Sequence, residues 1–260
     1  TGTAAIVFIA FGAGAAGAIN MWYDRDIDAQ MRRTMQRPLP AGRMRPGSAL
    51  VFGMLMATGS VLAMGIYVNT VSAALLLATI GYYVFVYTVW LKRITPQNVV
   101  IGGVSGALPP VVGWASVSAD IGLGAIALFL IIFLWTPPHS WALALFRRGD
   151  YQAAGVPMLP VVAGERATQR QMIAYTALLL PTSLLPVAIG LSGVLYAGVA
   201  VLFGIGFAFY TVSLWQAGQT PDNTPHTEHP ARRLFFFSIQ YLFALYLALL
   251  IDQIVFYPLI

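Results

Sequence analysis

The sequence predicts an all-α, polytopic transmembrane helix bundle, and three observations carry that prediction. The 260 residues are 58% hydrophobic and only 9% charged, against about 25% charged in an ordinary soluble domain, and mean hydropathy is +0.76. Such a chain has too few polar side chains to clothe a water-exposed surface. A cytosolic enzyme, a secreted domain and a disordered chain are excluded. The uncharged residues fall in long runs without the alternating polarity of barrel strands. The basic residues recur at every second connection between those runs. Absence of cysteine removes disulfide frameworks, thiolate zinc sites and cysteine nucleophiles.

A helix needs about 20 apolar residues to cross a bilayer, so the runs convert to spans in order. Residues 1–23 make the first. Residues 46–91 hold two, parted at Tyr67-Val68-Asn69-Thr70. Residues 94–119 and 121–146 give the fourth and fifth. Pro109-Pro110 bends the fourth, and Pro137-Pro138 kinks the fifth and frees backbone carbonyls. Residues 171–221 hold two more, split near Gly190-Leu191-Ser192-Gly193. Residues 234–251, with the apolar tail to Ile260, make the eighth.

All 14 Lys and Arg lie in the odd-numbered connections, at 23–47, 91–97, 147–170 and 217–233, whereas the even ones carry only Asp120. The positive-inside rule places the odd connections in the cytoplasm. The net charge of +5 therefore reports membrane orientation, not a nucleic-acid partner. Residues 1–260 read as a single integral-membrane domain with cytoplasmic cap loops at 23–47 and 147–170. Both ends fall on the outer side and the chain starts inside an apolar span. A preceding segment with one further helix is therefore expected, a cleaved signal peptide being the alternative.

The chemistry-bearing residues gather at the cytoplasmic ends. The first is Asn20-Met-Trp-Tyr-Asp24-Arg-Asp26-Ile-Asp28, followed by Arg32, Arg33 and Arg37-Pro38-Leu39-Pro40-Ala41-Gly42-Arg43. At about 100° per residue, Asn20, Asp24 and Asp28 share one helix face and Asp26 points elsewhere. One amide and two carboxylates are hard oxygen ligands in the number that suits Mg²⁺ with substrate phosphates, and the following arginines suit bidentate phosphate binding. The pattern describes a diphosphate–Mg²⁺ site. A solvated, ion-paired helix end would show the same charge run, but acids at a membrane boundary are costly, which favours function.

The second place is Trp135-Thr136-Pro137-Pro138-His139-Ser140-Trp141, leading to Phe146-Arg147-Arg148-Gly149-Asp150-Tyr151. The fifth span is expected to run to Asp150. His139 and Asp150 share a face if the helix holds between them. A lone histidine in an apolar span reads equally as a hydrogen-bonded core group. Pro157-Met158-Leu159-Pro160 through Gly164-Glu165-Arg166 loosely echoes the Pro38–Arg43 stretch and hints at a duplicated helix–acid–loop unit. Lys92 and Arg93, after Tyr87-Thr88-Val89-Trp90-Leu91, hold an anion or anchor the span. Gly102-Gly103-Val104-Ser105-Gly106 is a small-residue packing pattern. His226, Glu228 and His229 sit in a Pro/Thr-rich loop, and no metal site is expected there.

These motifs carry a resemblance. Asn20-x-x-x-Asp24-x-x-x-Asp28 with Arg37-Pro38 resembles the first aspartate-rich motif of the UbiA-type intramembrane prenyltransferases. Leu91-Lys92-Arg93, Gly102 to Pro110, Trp135 to His139 and Asp150 to Pro160 extend the similarity in order over most of residues 15–170. They narrow it to the branch that farnesylates heme. The resemblance implies a bundle of nine helices around an apolar cavity, and Mg²⁺ as cofactor. It implies farnesyl diphosphate and heme b as substrates in the lipid bilayer, heme O as product, and a downstream heme A synthase as a partner.

It also implies roles by residue. Asn20, Asp24, Asp28 and Asp150 are metal–diphosphate ligands; Arg32, Arg37, Lys92, Arg93 and Arg147 are diphosphate contacts; His139 acts beside the catalytic aspartates. The sequence departs from the broader family in keeping only Asp150 of the second acidic motif, with His139 where an aspartate often stands. Two alternatives remain: a related transferase acting on a quinone or chlorophyll precursor, and a transporter or membrane assembly factor. A carrier is expected to bury acids near mid-span, and here most acids gather at the cytoplasmic ends, Asp252 near the outer end of the last span being the exception within a span.

Overall fold

A computed structural model of the chain describes residues 2–219 and 227–255, whose regular structure is entirely helical. Eight helical spans are long and apolar enough to cross a membrane: Gly2–Tyr23, Pro46–Tyr67, Thr70–Leu91, Asn98–Ser118, Leu123–Phe146, Gly164–Ala188, Val194–Ala217 and Glu228–Val255. Their outward positions are apolar: Ile6, Leu55, Ile66 and Phe85 are each more than two-thirds exposed. Lipid demands that surface and water forbids it, so the chain is a multi-pass integral membrane protein.

The expected count holds, but three boundaries move. The sixth span starts at Gly164, not 171, and the eighth at Glu228, not 234. Counting uncharged residues cut both short, because Arg166, Arg170, Arg232 and Arg233 occupy the first two turns of their helices, where long side chains reach the headgroups from inside a helix. The fifth span stops at Phe146, before Asp150. A turn at Arg147 separates it from the next helix, so no continuous helix carries His139 and Asp150 on one face. His226 and the tail from Phe256 lie outside the described residues.

The chain forms two compact units. The first holds residues up to Ala125 together with Gly149–Pro157. Its centre is α1 (Gly2–Tyr23), which packs on α3 (Pro46–Tyr67), α4 (Thr70–Gly81) and α6 (Pro109–Ser118). One face of α1 buries Ala5, Gly12, Ala15, Ala16 and Ala18, and small residues let helix backbones approach. A Cβ at Gly12 would lie 2.8 Å from Leu76 Cδ1, inside the cluster of Ala5, Ala16, Met64, Leu76, Ile80, Val84 and Val112.

The third span changes character at Tyr82. Residues Tyr82–Leu91 form a π-helix, closed by the Lys92 N–H donating to the Tyr87 carbonyl at 2.9 Å. The expected bend in the fourth span falls at Leu108, between α5 (Asn98–Ala107) and α6, where Pro109 and Pro110 bring no N–H to the ladder. The helix is unbroken through Pro137 and Pro138.

The second unit holds Ile126–Arg148 and Met158–Ile260. Most of α7 (Leu123–Phe146) is joined here to α13 (Glu228–Val255). The Trp135 indole donates to the Ser238 carbonyl at 2.7 Å, and the Tyr246 hydroxyl to that of Leu128 at 3.2 Å. Helix α12 (Val194–Ala217) packs on α13 and on α10 (Gly164–Thr182). Asp252, buried in α13, accepts from the Gly193 and Tyr196 N–H groups at the start of α12. The carboxylate thus satisfies donors that a helix N-terminus leaves open and complements its dipole. The acid that stood apart in the sequence is an inter-helix cap.

Candidate functional site

The site in the first unit grows from the end of α1. After Tyr23 the helix breaks at Asp24 and resumes as α2 (Arg25–Gln30). The backbone bonds Asp24 N–H to Asn20 carbonyl and Asp28 N–H to Asp24 carbonyl, both 2.8 Å, carry the four-residue register across the break. The helical phase predicted for Asn20, Asp24 and Asp28 therefore survives. Asp24 is fully buried, and Asp28 and Asn20 are 3% and 7% exposed. The Asn20 amide donates to Asp24 Oδ2 at 2.7 Å and to Thr88 Oγ1 at 3.1 Å.

Each buried carboxylate meets cations. Lys92 pairs with Asp24, and Arg93 reaches Asp24 Oδ1 at 3.3 Å. Arg37 pairs with Asp28 at 2.7 Å. Asp26 faces away as its phase requires, half-exposed, and binds Arg93 through both oxygens at 2.8 Å. The hydrogen bond from Arg93 holds the Asp26 carboxyl below the usual carboxylate range, and the same bond raises the guanidinium. The loop is tied back as well: the Thr34 hydroxyl donates to the Asp28 carbonyl at 2.9 Å, and Asn98 Nδ2 to that of Lys92 at 3.1 Å.

The structure thus brings together Asn20, Asp24, Asp28, Arg37, Lys92 and Arg93. Arg32 is exposed and free of ion pairs among the described residues. Asp150 belongs to the same unit, on the six-residue helix Arg148–Ala153, and its Oδ2 is buried with no hydrogen-bond partner among the described residues. The neighbouring Tyr151 lies within electrostatic range of Tyr87, as Asp24 does. His139 and Arg147 belong to the second unit.

Thr88, Tyr83 and Tyr87 were not among the expected site residues. Tyr83 and Tyr87 lie ring to ring at 5.3 Å, and the Lys92 ammonium sits 6.0 Å from the Tyr87 ring. A Cβ at Gly102 would lie 2.2 Å from Tyr87 Cδ2, so the ring lies directly on the glycine. The only sequence signal for these residues is their place beside Lys92. Nothing in the periodicity announces the π-helix that orients them, although such segments often mark functional sites.

Among the described residues no three His, Asp or Glu side chains converge in a metal-binding group. Mg²⁺ seldom uses an all-protein cage; it takes one or two carboxylates and fills its shell with phosphate and water. Two buried carboxylates, an amide and the partnerless Asp150 oxygen fit that role.

His139 is stacked between Trp135, at 4.2 Å, and Phe235, at 4.6 Å between ring centres. Its Nδ1 lies 2.7 Å from Ser238 Oγ, whose own proton goes to the Phe235 carbonyl at 2.6 Å. Nδ1 must then carry the proton, which leaves the lone pair on Nε2.

The UbiA prenyltransferase family model matches residues 1–239. The chain belongs to that family. The protoheme IX farnesyltransferase of Acidiphilium cryptum is 52% identical over 255 residues, covering 98% of this chain and 80% of the relative. Protoheme IX farnesyltransferase 2 of Mesorhizobium japonicum is 52% identical over 252 residues, covering 96% and 79%. Among solved structures, a digeranylgeranylglyceryl phosphate synthase matches with TM-score 0.77 at 18% identity, over 96% of this chain and 85% of that one. A UbiA homologue from Archaeoglobus fulgidus, solved with GPP and Mg²⁺, matches with TM-score 0.65 at 16% identity, over 95% and 87%. At these identities the two structures establish the UbiA-type fold.

Proposed function

We infer that the chain transfers the farnesyl group of farnesyl diphosphate to a vinyl group of heme b, giving heme O and diphosphate. The observation that carries this reading is the buried Asp24–Asp28 pair with its retinue of cations. It lies at the membrane boundary of a chain about half identical to protoheme IX farnesyltransferases. Residues 1–260 act as one prenyltransferase domain in the plasma membrane of a bacterium or the inner membrane of an organelle. The basic connections and the active face are cytoplasmic, and a heme A synthase consumes the product.

Asn20, Asp24, Asp28 and Asp150 would hold Mg²⁺ against the diphosphate. The metal, when bound, neutralises the leaving group. The chain's own residues do the rest. With donor bound, Lys92, Arg93 and Arg37 turn from the carboxylates to phosphate oxygens, and exposed Arg32 adds a further contact. Their charge stabilises the electron pair that leaves with diphosphate as the allylic C–O bond breaks, a preorganised electrostatic role. Asn20, fixed by Thr88, holds Asp24 in place, and the Tyr83 and Tyr87 rings keep water from one side of the site. The farnesyl cation bonds to a vinyl carbon of heme b. Water adds to the carbon left positive and loses a proton, completing a hydroxyethylfarnesyl group. His139, its lone pair on Nε2, accepts that proton or holds the heme iron.

The test uses membranes containing the protein, incubated with heme b, farnesyl diphosphate and Mg²⁺, with hemes extracted for mass spectrometry. A farnesyl-plus-water adduct that EDTA abolishes is the expected product. Consumption of farnesyl diphosphate only with a quinone precursor as acceptor would refute the reading.

A further inference from the structure

We propose that Arg147 and Arg232 bind the two propionate carboxylates of the heme acceptor. This rests on the acceptor reading above and reassigns Arg147, expected from the sequence to touch diphosphate. Both guanidinium groups face the same side chain. Arg147 lies 5.9 Å and Arg232 5.5 Å from the Phe146 ring centre. Two like charges are thus gathered on one ring, and among the described residues neither has an ion pair. The nearby acid is already taken: Glu165 meets Arg148 at 3.6 Å and accepts from Thr227 at 2.8 Å. Glu228, one turn before Arg232, makes no ion pair among the described residues.

Arg147 Nε is also buried with no hydrogen-bond partner among the described residues. A buried charged donor left unpaired is costly, and the arrangement makes sense when its anion arrives with the substrate. An aromatic path leads to this pair. His139 stacks on Phe235, and Phe235 meets Phe146 edge-on at 5.6 Å. His139 to Phe146 is seven residues of continuous helix, about 10 Å along the axis, comparable with the reach from a porphyrin centre to its carboxylates. An imidazole with a free lone pair, an aromatic wall and two unpaired guanidiniums at its end match a flat, iron-bearing dicarboxylate. A diphosphate would use the guanidiniums and leave the aromatic path without a purpose.

The experiment titrates heme b, followed by its Soret band, into the intact protein in lipid nanodiscs without farnesyl diphosphate. Wild type, Arg147→Gln, Arg232→Gln and Arg148→Gln are compared, the last a control at the neighbouring, already paired arginine. Arg147→Gln and Arg232→Gln are each expected to weaken heme b binding about tenfold or more, the loss of one charge-assisted hydrogen bond. Arg148→Gln should change it less than twofold, and the KM for farnesyl diphosphate should hold in all three. Heme b dimethyl ester should bind wild type as weakly as heme b binds the double variant Arg147→Gln/Arg232→Gln. Equal affinity of wild type for heme b and its dimethyl ester overturns the proposal, as does a raised KM for farnesyl diphosphate with heme affinity intact. Either result leaves the acceptor reading standing. Failure of wild type to bind any heme overturns both.

Discussion

Replacing Asp24 with Asn separates what that residue does for the fold from what it does for chemistry. The change keeps the shape of a fully buried side chain and removes its charge. Lys92, whose side chain is only 18% exposed, is left without its carboxylate. Removing one member of a buried ion pair costs about 3–5 kcal/mol. The loss belongs near the lower end here, because Arg93 keeps Asp26 at 2.8 Å and part of the Lys92 ammonium reaches water. The double variant Asp24→Asn/Lys92→Gln removes the stranded cation and should recover most of that stability. Neither variant should make heme O, because the carboxylate proposed to bind metal and diphosphate is gone from both. Thermal unfolding in nanodiscs reads the first quantity and extracted heme O the second. Turnover near the wild-type rate in the double variant would refute the assignment of Asp24 to the reaction. A double variant as unstable as the single one would refute the stranded-cation account.

Asp150→Asn should leave stability unchanged or raise it by about 1 kcal/mol, since an unpartnered buried carboxylate oxygen carries a desolvation cost; heme O formation should fall at least tenfold, and a stable, fully active variant would remove Asp150 from the site. Gly102→Ala places a methyl 2.2 Å from the Tyr87 ring, which must tilt and carry the π-helix with it; kcat should drop while the protein still inserts, and an unchanged kcat would show that Tyr87 orientation is immaterial. Asp252→Asn weakens the cap on α12 and should cost about 2 kcal/mol in unfolding, with KM for both substrates unchanged; an altered KM would place Asp252 in the chemistry.

How much was legible in the sequence differs from element to element. The eight spans were read from uncharged length, and they stand because lipid leaves no other solution for 20 apolar residues than a helix with its backbone bonds closed. The Asn20–Asp24–Asp28 face was equally legible, because helical phase is a local property that passes intact through the break at Asp24. The same reasoning failed for His139 and Asp150. Eleven residues preserve a face only along one helix, and the turn at Arg147 ends it. The starts of the sixth and eighth spans differ from that reading for a related reason: charge marks the membrane boundary, but an arginine in the first two turns reaches water without leaving the helix.

By itself, then, the sequence determined the class of protein, its span count and the Asn20–Asp24–Asp28 face. Each rests on composition or on spacing within a single helix. Only the tertiary structure decided which charges meet. Lys92 and Arg93 are 68 and 69 positions from Asp24, and Ser238 is 99 from the His139 it orients. The same structure turned Asp252 from a stray acid into a helix cap. Separations of that length carry no periodic signal, because burial, not spacing, forces each charge to find its partner.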